Sequence, residues 1–171
     1  MLPAMSDDGI AVVKSLFDAF NQGDLDSAVA LVTDDFELID VPSGGAFHGP
    51  EGCREWLGIF RTALPDARTE IVNAFADGDQ VATEHVGRGT HTGPFVTPAG
   101  TIPPTGRRIE LRIGEVYEPS EGKIRRLHAY YDSSTMLRQL GLLPPQGSAT
   151  ERAMTALMGL GVKAKRALRR P

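Results

Sequence analysis

The sequence holds one cysteine, Cys53, in 171 residues. A single thiol excludes an internal disulfide framework and any zinc or iron–sulfur site that needs several cysteines. It makes a reducing, cytoplasmic setting the expectation. Long apolar runs are missing too: none approaches the roughly 20 residues of a membrane-spanning helix. The opening Met1-Leu2-Pro3-Ala4-Met5-Ser6-Asp7-Asp8 has neither a basic start nor an apolar stretch, so no signal peptide is expected. Aromatic residues are only 6% of the chain and do not interleave with basic ones, which argues against nucleic-acid binding. Gly87-Arg88-Gly89 is too short for a dinucleotide fingerprint and leads into no helix. No two histidines show metal-ligand spacing beside an acid, so no metal is expected.

What is present is an ordinary globular composition. Hydrophobic residues are 41% and charged residues 23%, enough to build a core. At roughly 100–200 residues per domain, the chain is one domain with room for a tail. Its formal net charge of −4 is unevenly spread. From Gly147 to Pro171, six bases (Arg152, Lys163, Lys165, Arg166, Arg169 and Arg170) stand against one acid, Glu151, which leaves +5. The preceding residues hold twelve bases and twenty-one acids, which leaves −9. An acidic body therefore carries a basic tail.

Apolar residues at Val12, Val13, Leu16, Phe17 and Phe20 recur at helical spacing and predict a helix over 10–20, capped by Ser6 or Asp7 and ended at Gly23. A second, short helix follows over 25–31 behind Asp24. Thr33-Asp34-Asp35 reads as a turn, and Phe36 to Val41 as a strand broken by Pro42-Ser43-Gly44-Gly45. Gly49-Pro50-Glu51-Gly52 opens a third helix, since proline lacks only an N–H that the first helical turn leaves unpaired anyway. From Ala67 the pattern changes: 68–75, 80–89, 108–118 and 123–131 read as strands with polar or Pro/Gly-rich turns between them, an antiparallel meander. A helical turn over 136–143 ends at Pro144-Pro145, and a basic helix over 150–170 follows a linker. Helices first and strands after give an α+β fold, with a curved antiparallel sheet packed on N-terminal helices and a C-terminal helical extension. The expected organisation is an arm (1–9), a domain (10–143), and a linker with the basic helix (144–171).

Five stretches in order carry a resemblance. They are Leu16-Phe17-Asp18-Ala19-Phe20-Asn21-Gln22-Gly23-Asp24-Leu25-Asp26; Thr33-Asp34-Asp35-Phe36; Gly49-Pro50-Glu51-Gly52; Gly89-Thr90-His91-Thr92-Gly93 with Pro103-Pro104-Thr105-Gly106-Arg107-Arg108; and Gly122-Lys123-Ile124 through to Arg138-Gln139-Leu140-Gly141. Together the chain resembles the SnoaL-like polyketide cyclases, in the nuclear transport factor 2-like group with ketosteroid isomerase and limonene-epoxide hydrolase. The resemblance implies a cone-shaped α+β barrel with an apolar pocket between sheet and helices, and a homodimer formed through the outer sheet face. It does not fix the chemistry, because the fold hosts isomerases, hydrolases, cyclases and binding proteins.

The candidate site residues follow from the strands and the resemblance together. Asp40, just before the break at Pro42, matches the position of the isomerase's general base; an aspartate before a turn also simply ends a strand. In Leu111-Arg112-Ile113-Gly114-Glu115-Val116-Tyr117, period-2 alternation turns Glu115 to the side of Leu111 and Ile113. There it resembles the isomerase acid that stays protonated and donates to the substrate oxygen, or it pairs with Arg125 or Arg126. His85 and His128 lie on strands of undetermined facing, and His91 is expected to be structural or to sit at the rim. On the last strand, Ala129 stands where the cyclases and epoxide hydrolases usually carry an inward aspartate, and Asp132 matches their outer one. Leu16 stands where the isomerase has its pocket tyrosine, and Tyr131, sharing parity with Ala129, is the substitute donor. Phe17, Trp56, Phe60 and Ile113 complete the expected wall.

The favoured reading is a cofactor-independent isomerase or cyclase that moves a proton next to a ketone of a polycyclic or steroid-like substrate. Asp40 takes the proton, and Glu115 and Tyr131 hold the enolate oxygen. No cofactor is needed, because the substrate carbonyl stabilises the charge. The alternatives are a binding or assembly module of the same fold, and a hydrolase in which His85 and Asp132 activate a water. The expected partner is an apolar small molecule. The basic tail is expected to dock on the acidic body or a partner subunit before an anionic membrane surface.

Overall fold

A computed structural model describes residues 5–168, with side chains from 8 to 160. The expectations for residues 1–4, and for the basic side chains of Lys163, Lys165, Arg166, Arg169 and Arg170, lie outside what it describes.

Helix α1 (Met5–Gln22) begins five residues before the expected start, and Gly9 near its N-terminal end lies close to Val81 and Pro119. Its buried face is Val12, Val13, Leu16 and Phe17 of the predicted stripe together with Ala19, while Phe20, the fifth predicted residue, is only partly buried. It ends at Gly23, whose φ of 75° suits a residue without Cβ. The short α2 (Leu25–Ala30) is capped by Asp24, which accepts from Ser27. Strand β1 (Val32–Asp40) absorbs the expected turn at Thr33-Asp34-Asp35, which survives only as a break in register between Val32 and Glu37. After the Pro42–Gly45 break the chain turns back as β2 (Gly45–His48), unforeseen because only four residues carry it. The helix α3 (Gly49–Ala63) then buries Cys53, Trp56 and Leu57 on the same core as α1.

Strands β3 (Arg68–Asp77) and β4 (Gln80–Thr90) form a hairpin. The Pro/Gly-rich stretch holds a second hairpin, β5 (Phe95–Thr97) and β6 (Gly100–Ile102), outside the main sheet. Strands β7 (Arg108–Ser120) and β8 (Lys123–Tyr131) complete the main sheet, in the order β2-β1-β8-β7-β4-β3. The α+β class is as expected, and one pairing corrects the antiparallel sheet: β1 lies parallel to β8, so the sheet is mixed. Connecting strands so far apart in sequence frees their direction, which a short hairpin would have forced. Helix α4 (Ser133–Gln139) starts three residues earlier than the spacing suggests, because Asp132 caps it.

The core lies between the inner sheet face and α1 and α3. On the outer face Phe75, Ala82, Val116 and His128 stand opposite one another across four strands, with Phe75 and Val116 exposed. Helix α5 (Ala149–Leu168) is tied to α4 by Arg138 Nη2 and Glu151 Oε1 at 2.7 Å, while Leu157, Met158 and Leu160 remain exposed. No helix among the described residues is long and apolar enough to cross a membrane.

Candidate active site

The inner face of β7 alternates Ile109, Leu111, Ile113, Glu115 and Tyr117, and that period sets the site. Register does the rest. Glu115 stands opposite Ala129 on β8, and Ala129 stands opposite Asp40 on β1. One row across three strands therefore reads Asp40, Ala129, Glu115, with the two acid-bearing backbones about 10 Å apart, two strand spacings. The small Ala129 is fully buried between them.

Beside this row a cavity of about 120 Å³ opens between sheet and helices. Leu16, Phe17, Trp56, Phe60, Ile113 and Tyr131, all expected wall residues, line it, together with His85 and Glu115. Asp40 and Ala129 do not line it. Asp40 is buried behind two rings: Trp56 Nε1 donates to its Oδ2 at 3.1 Å, and the Tyr131 hydroxyl donates to the same oxygen at 3.2 Å. The Ser43 N–H approaches Oδ1 at 3.4 Å. These are donors to an acceptor-only group, an arrangement that suits a carboxylate.

Glu115 has the opposite surroundings. Burial pushes its carboxyl up to about 7, the Tyr117 hydroxyl pulls it down by donating to Oε2, and the Asp40 charge raises it further. Its other near neighbour is His85 Nδ1 at 3.8 Å, too far for a hydrogen bond. That distance would suit an ion pair, but burial lowers His85 to about 4, so the imidazole is neutral at pH 7. The His85 ring packs edge-on against Phe17 at 4.7 Å. Tyr117, which positions Glu115, was not foreseen as a site residue; continuing the period by one step along β7 is the signal that finds it.

Two remaining residues are placed elsewhere. Asp132 is exposed and outside the cavity: Oδ2 accepts from the Thr135 hydroxyl, Oδ1 from the Ser134 hydroxyl and from the Thr135 and Ser134 N–H groups, and these bonds hold it at about 2. The structure does not bring it together with His85. Arg125 and Arg126 pair with Glu118, not Glu115. Burial pushes the Cys53 thiol up to about 12, which leaves it a packing residue. Among the described residues no group of histidine, cysteine and acids is placed to hold a metal.

Sheet and helices around an apolar cavity, with a buried carboxyl in its wall, make the nuclear transport factor 2-like cone fold. The family model for SnoaL-like polyketide cyclases matches residues 10–140, and the chain belongs to that family. A comparison with curated proteins finds no match. Among solved structures it is similar to IdmH, described as a polyketide cyclase, from Streptomyces antibioticus, at 30% identity over 78% of this chain and 98% of that one, with a TM-score of 0.64. A SnoaL-like polyketide cyclase structure from Jannaschia sp. CCS1 matches at 20% identity over 85% of this chain and 99% of that one, TM-score 0.73. An LEH-like epoxide hydrolase from M. tuberculosis matches at 20% identity over 80% and 91%, TM-score 0.62. The last two similarities concern the fold alone.

Proposed function

We propose that the protein is a cofactor-independent enzyme of proton transfer at the carbon next to a ketone, acting on an apolar fused-ring substrate by isomerisation or aldol cyclisation. The observation that carries this reading is Glu115: a buried carboxyl in an apolar cavity wall, with its pKa raised to about 7, near the pH at which a general base works best. Asp40, the base suggested by resemblance, reaches the cavity only through Tyr131 and Trp56, so the base role passes to Glu115. Ionised Glu115 takes the α-proton, and the electron pair moves to the ketone oxygen as an enolate. Tyr131 stands opposite Ile113, diagonal to Glu115 on the neighbouring strand. Diagonal neighbours are about 7–8 Å apart, room for a carbonyl and its α-carbon between them. The Tyr131 hydroxyl turns from Asp40 to the enolate oxygen. Glu115 then returns its proton to a different carbon, or to the alkoxide formed when the enolate carbon attacks a second carbonyl.

The experiment is α-proton exchange into deuterated water, followed by NMR on a panel of fused-ring aromatic ketones. Wild-type protein accelerates exchange, and Glu115→Gln lowers it by about 10²–10⁴-fold. Equal exchange by the two proteins removes Glu115 as the base. A non-catalytic binding module is the second reading, favoured by the shielding of Asp40 and by Ala129 in the row; it predicts ketone binding with no exchange by either protein. The exposed Phe75 and Val116 on the outer face support a homodimer, which sedimentation tests.

A further inference from the structure

His91 plays no part in the reaction above, yet it is the most constrained histidine of the pocket wall. It is 1% exposed and follows the end of β4. Its backbone is bonded on both sides, N–H to Arg107 O and O from Gly106 N–H, each at 2.9 Å. The next turn is pinned to α3, where Thr92 and Gly93 N–H both donate to Ala63 O. Gly93 is required there, since a Cβ would stand 1.9 Å from Thr62 O.

The side chain is fixed too, and in one tautomer. Thr105 N–H donates to His91 Nδ1 at 3.2 Å, and a backbone N–H can only donate. Nδ1 therefore carries a lone pair. Burial lowers the ring's pKa, so it is neutral and its proton sits on Nε2. Among the described residues that Nε2 is buried and has no hydrogen-bond partner. An unmet buried donor is costly, and native proteins seldom leave one without a use. His91 lines the cavity, and its ring meets Phe95 of the separate β5–β6 hairpin at 6.3 Å. Ring-to-ring steps of 6.4 Å from Tyr131 to Phe60 and 6.0 Å from Phe60 to Phe95 connect it to the Glu115 end.

We propose that His91 Nε2–H is a second polar anchor of the pocket, taking a carbonyl, ether or hydroxyl oxygen at the end of the ligand remote from its reacting ketone. The ligand is thus a rigid apolar body with an acceptor at each end. Which end reacts rests on the proton-transfer reading; the anchor itself is tested by binding alone.

The probes are two steroids that differ only in a distal carbonyl, androst-4-en-3-one and androst-4-ene-3,17-dione, titrated against wild-type protein, His91→Asn and His91→Gln. Asparagine keeps an acceptor for Thr105, but its amide nitrogen stops short of the Nε2 position; glutamine carries a donor at the reach of Nε2. Wild type binds the dione about 5–10-fold more tightly, the worth of one hydrogen bond. His91→Asn equalises the two ketones, and His91→Gln restores part of the preference. Equal affinities in wild type, whether from a water satisfying Nε2 or from no binding of either ketone, overturn the proposal. So does a preference that survives in His91→Asn. Nitrogen-15 spectra of the wild-type imidazole keep the test open if a variant fails to fold: Nε2 carries the proton and its resonance moves with the dione only, and a proton on Nδ1 overturns the anchor. Glu115→Gln keeps the dione preference, so a failure of the proton-transfer reading leaves this result standing.

Discussion

Asp40 and Glu115 occupy one row of the sheet, either side of Ala129, and differ in nearly everything else. Asp40 has donors from Trp56, Tyr131 and Ser43 and no face on the cavity. Glu115 has one hydroxyl and an apolar wall. On the proposed reading, two carboxyls in equivalent positions take different tasks because of what is aimed at them: one orients rings, the other exchanges a proton.

The comparison breaks first on catalysis. If the division of roles holds, Asp40→Asn lowers ketone α-exchange by only about 10-fold, well short of the 10²–10⁴-fold expected of a lost general base. A loss as large as that of Glu115→Gln would return the base role to Asp40.

A third acid in the row is the next largest perturbation. Ala129→Asp puts a charge with no room and no donor between two carboxyls, and should cost about 3–5 kcal/mol in urea unfolding at pH 8. The loss shrinks in acid, where the new group is protonated.

The pH dependence of stability separates the two acids further. Folded Glu115 keeps its proton up to about 7, whereas the unfolded chain releases it near the ordinary 4.5. The folded state binds more protons in that window, so stability falls as pH rises through it. Glu115→Gln abolishes this fall, and its advantage over wild type grows to about 3 kcal/mol above pH 7. His85 works in the other direction: its contribution is lost as pH drops from the ordinary 6.5 to about 4, where the unfolded chain takes a proton that the buried ring refuses. Thermal denaturation across pH 4–8 reads both slopes.

Smaller effects sharpen the Asp40 side. Trp56→Phe removes one donor from a buried carboxylate and should cost about 1–2 kcal/mol in chemical unfolding. Truncation after Ser148 removes α5 and its tie to Arg138, a partly exposed pair, and should move stability by no more than about 1 kcal/mol. That result would support 144–171 as an appendage to the domain.

How much of this was readable from the chain depends on the range of the interaction. The stripe of α1, the opening of α3 at Pro50 and the inward facing of Glu115 are local periodicities, and they are visible in the residues. The shielding of Asp40 is not, because its partners come from 16 and 91 residues away. Nor is the parallel β1–β8 pairing, which no turn announces. Asp132 is legible as a cap: Asp-Ser-Ser-Thr is a helix-cap sequence, and capping occupies its oxygens. The resemblance implies a structural or rim role for His91, but the idle Nε2 emerges only once Thr105, fourteen residues on, claims Nδ1.

The place of β8 in the sheet has a kinetic consequence. The last strand of the sequence lies in the middle of the sheet, between β1 and β7, and Asp40 meets Ala129 across most of the domain. Pairing of such separated segments closes a long loop before it gains any contact, which slows folding. On a ribosome, β1 waits with an unpaired edge until β8 emerges, and the row that holds both carboxyls forms only then. Competence for ligand should therefore arrive in the final folding step, and the waiting edge of β1 is where a nascent chain would need protection.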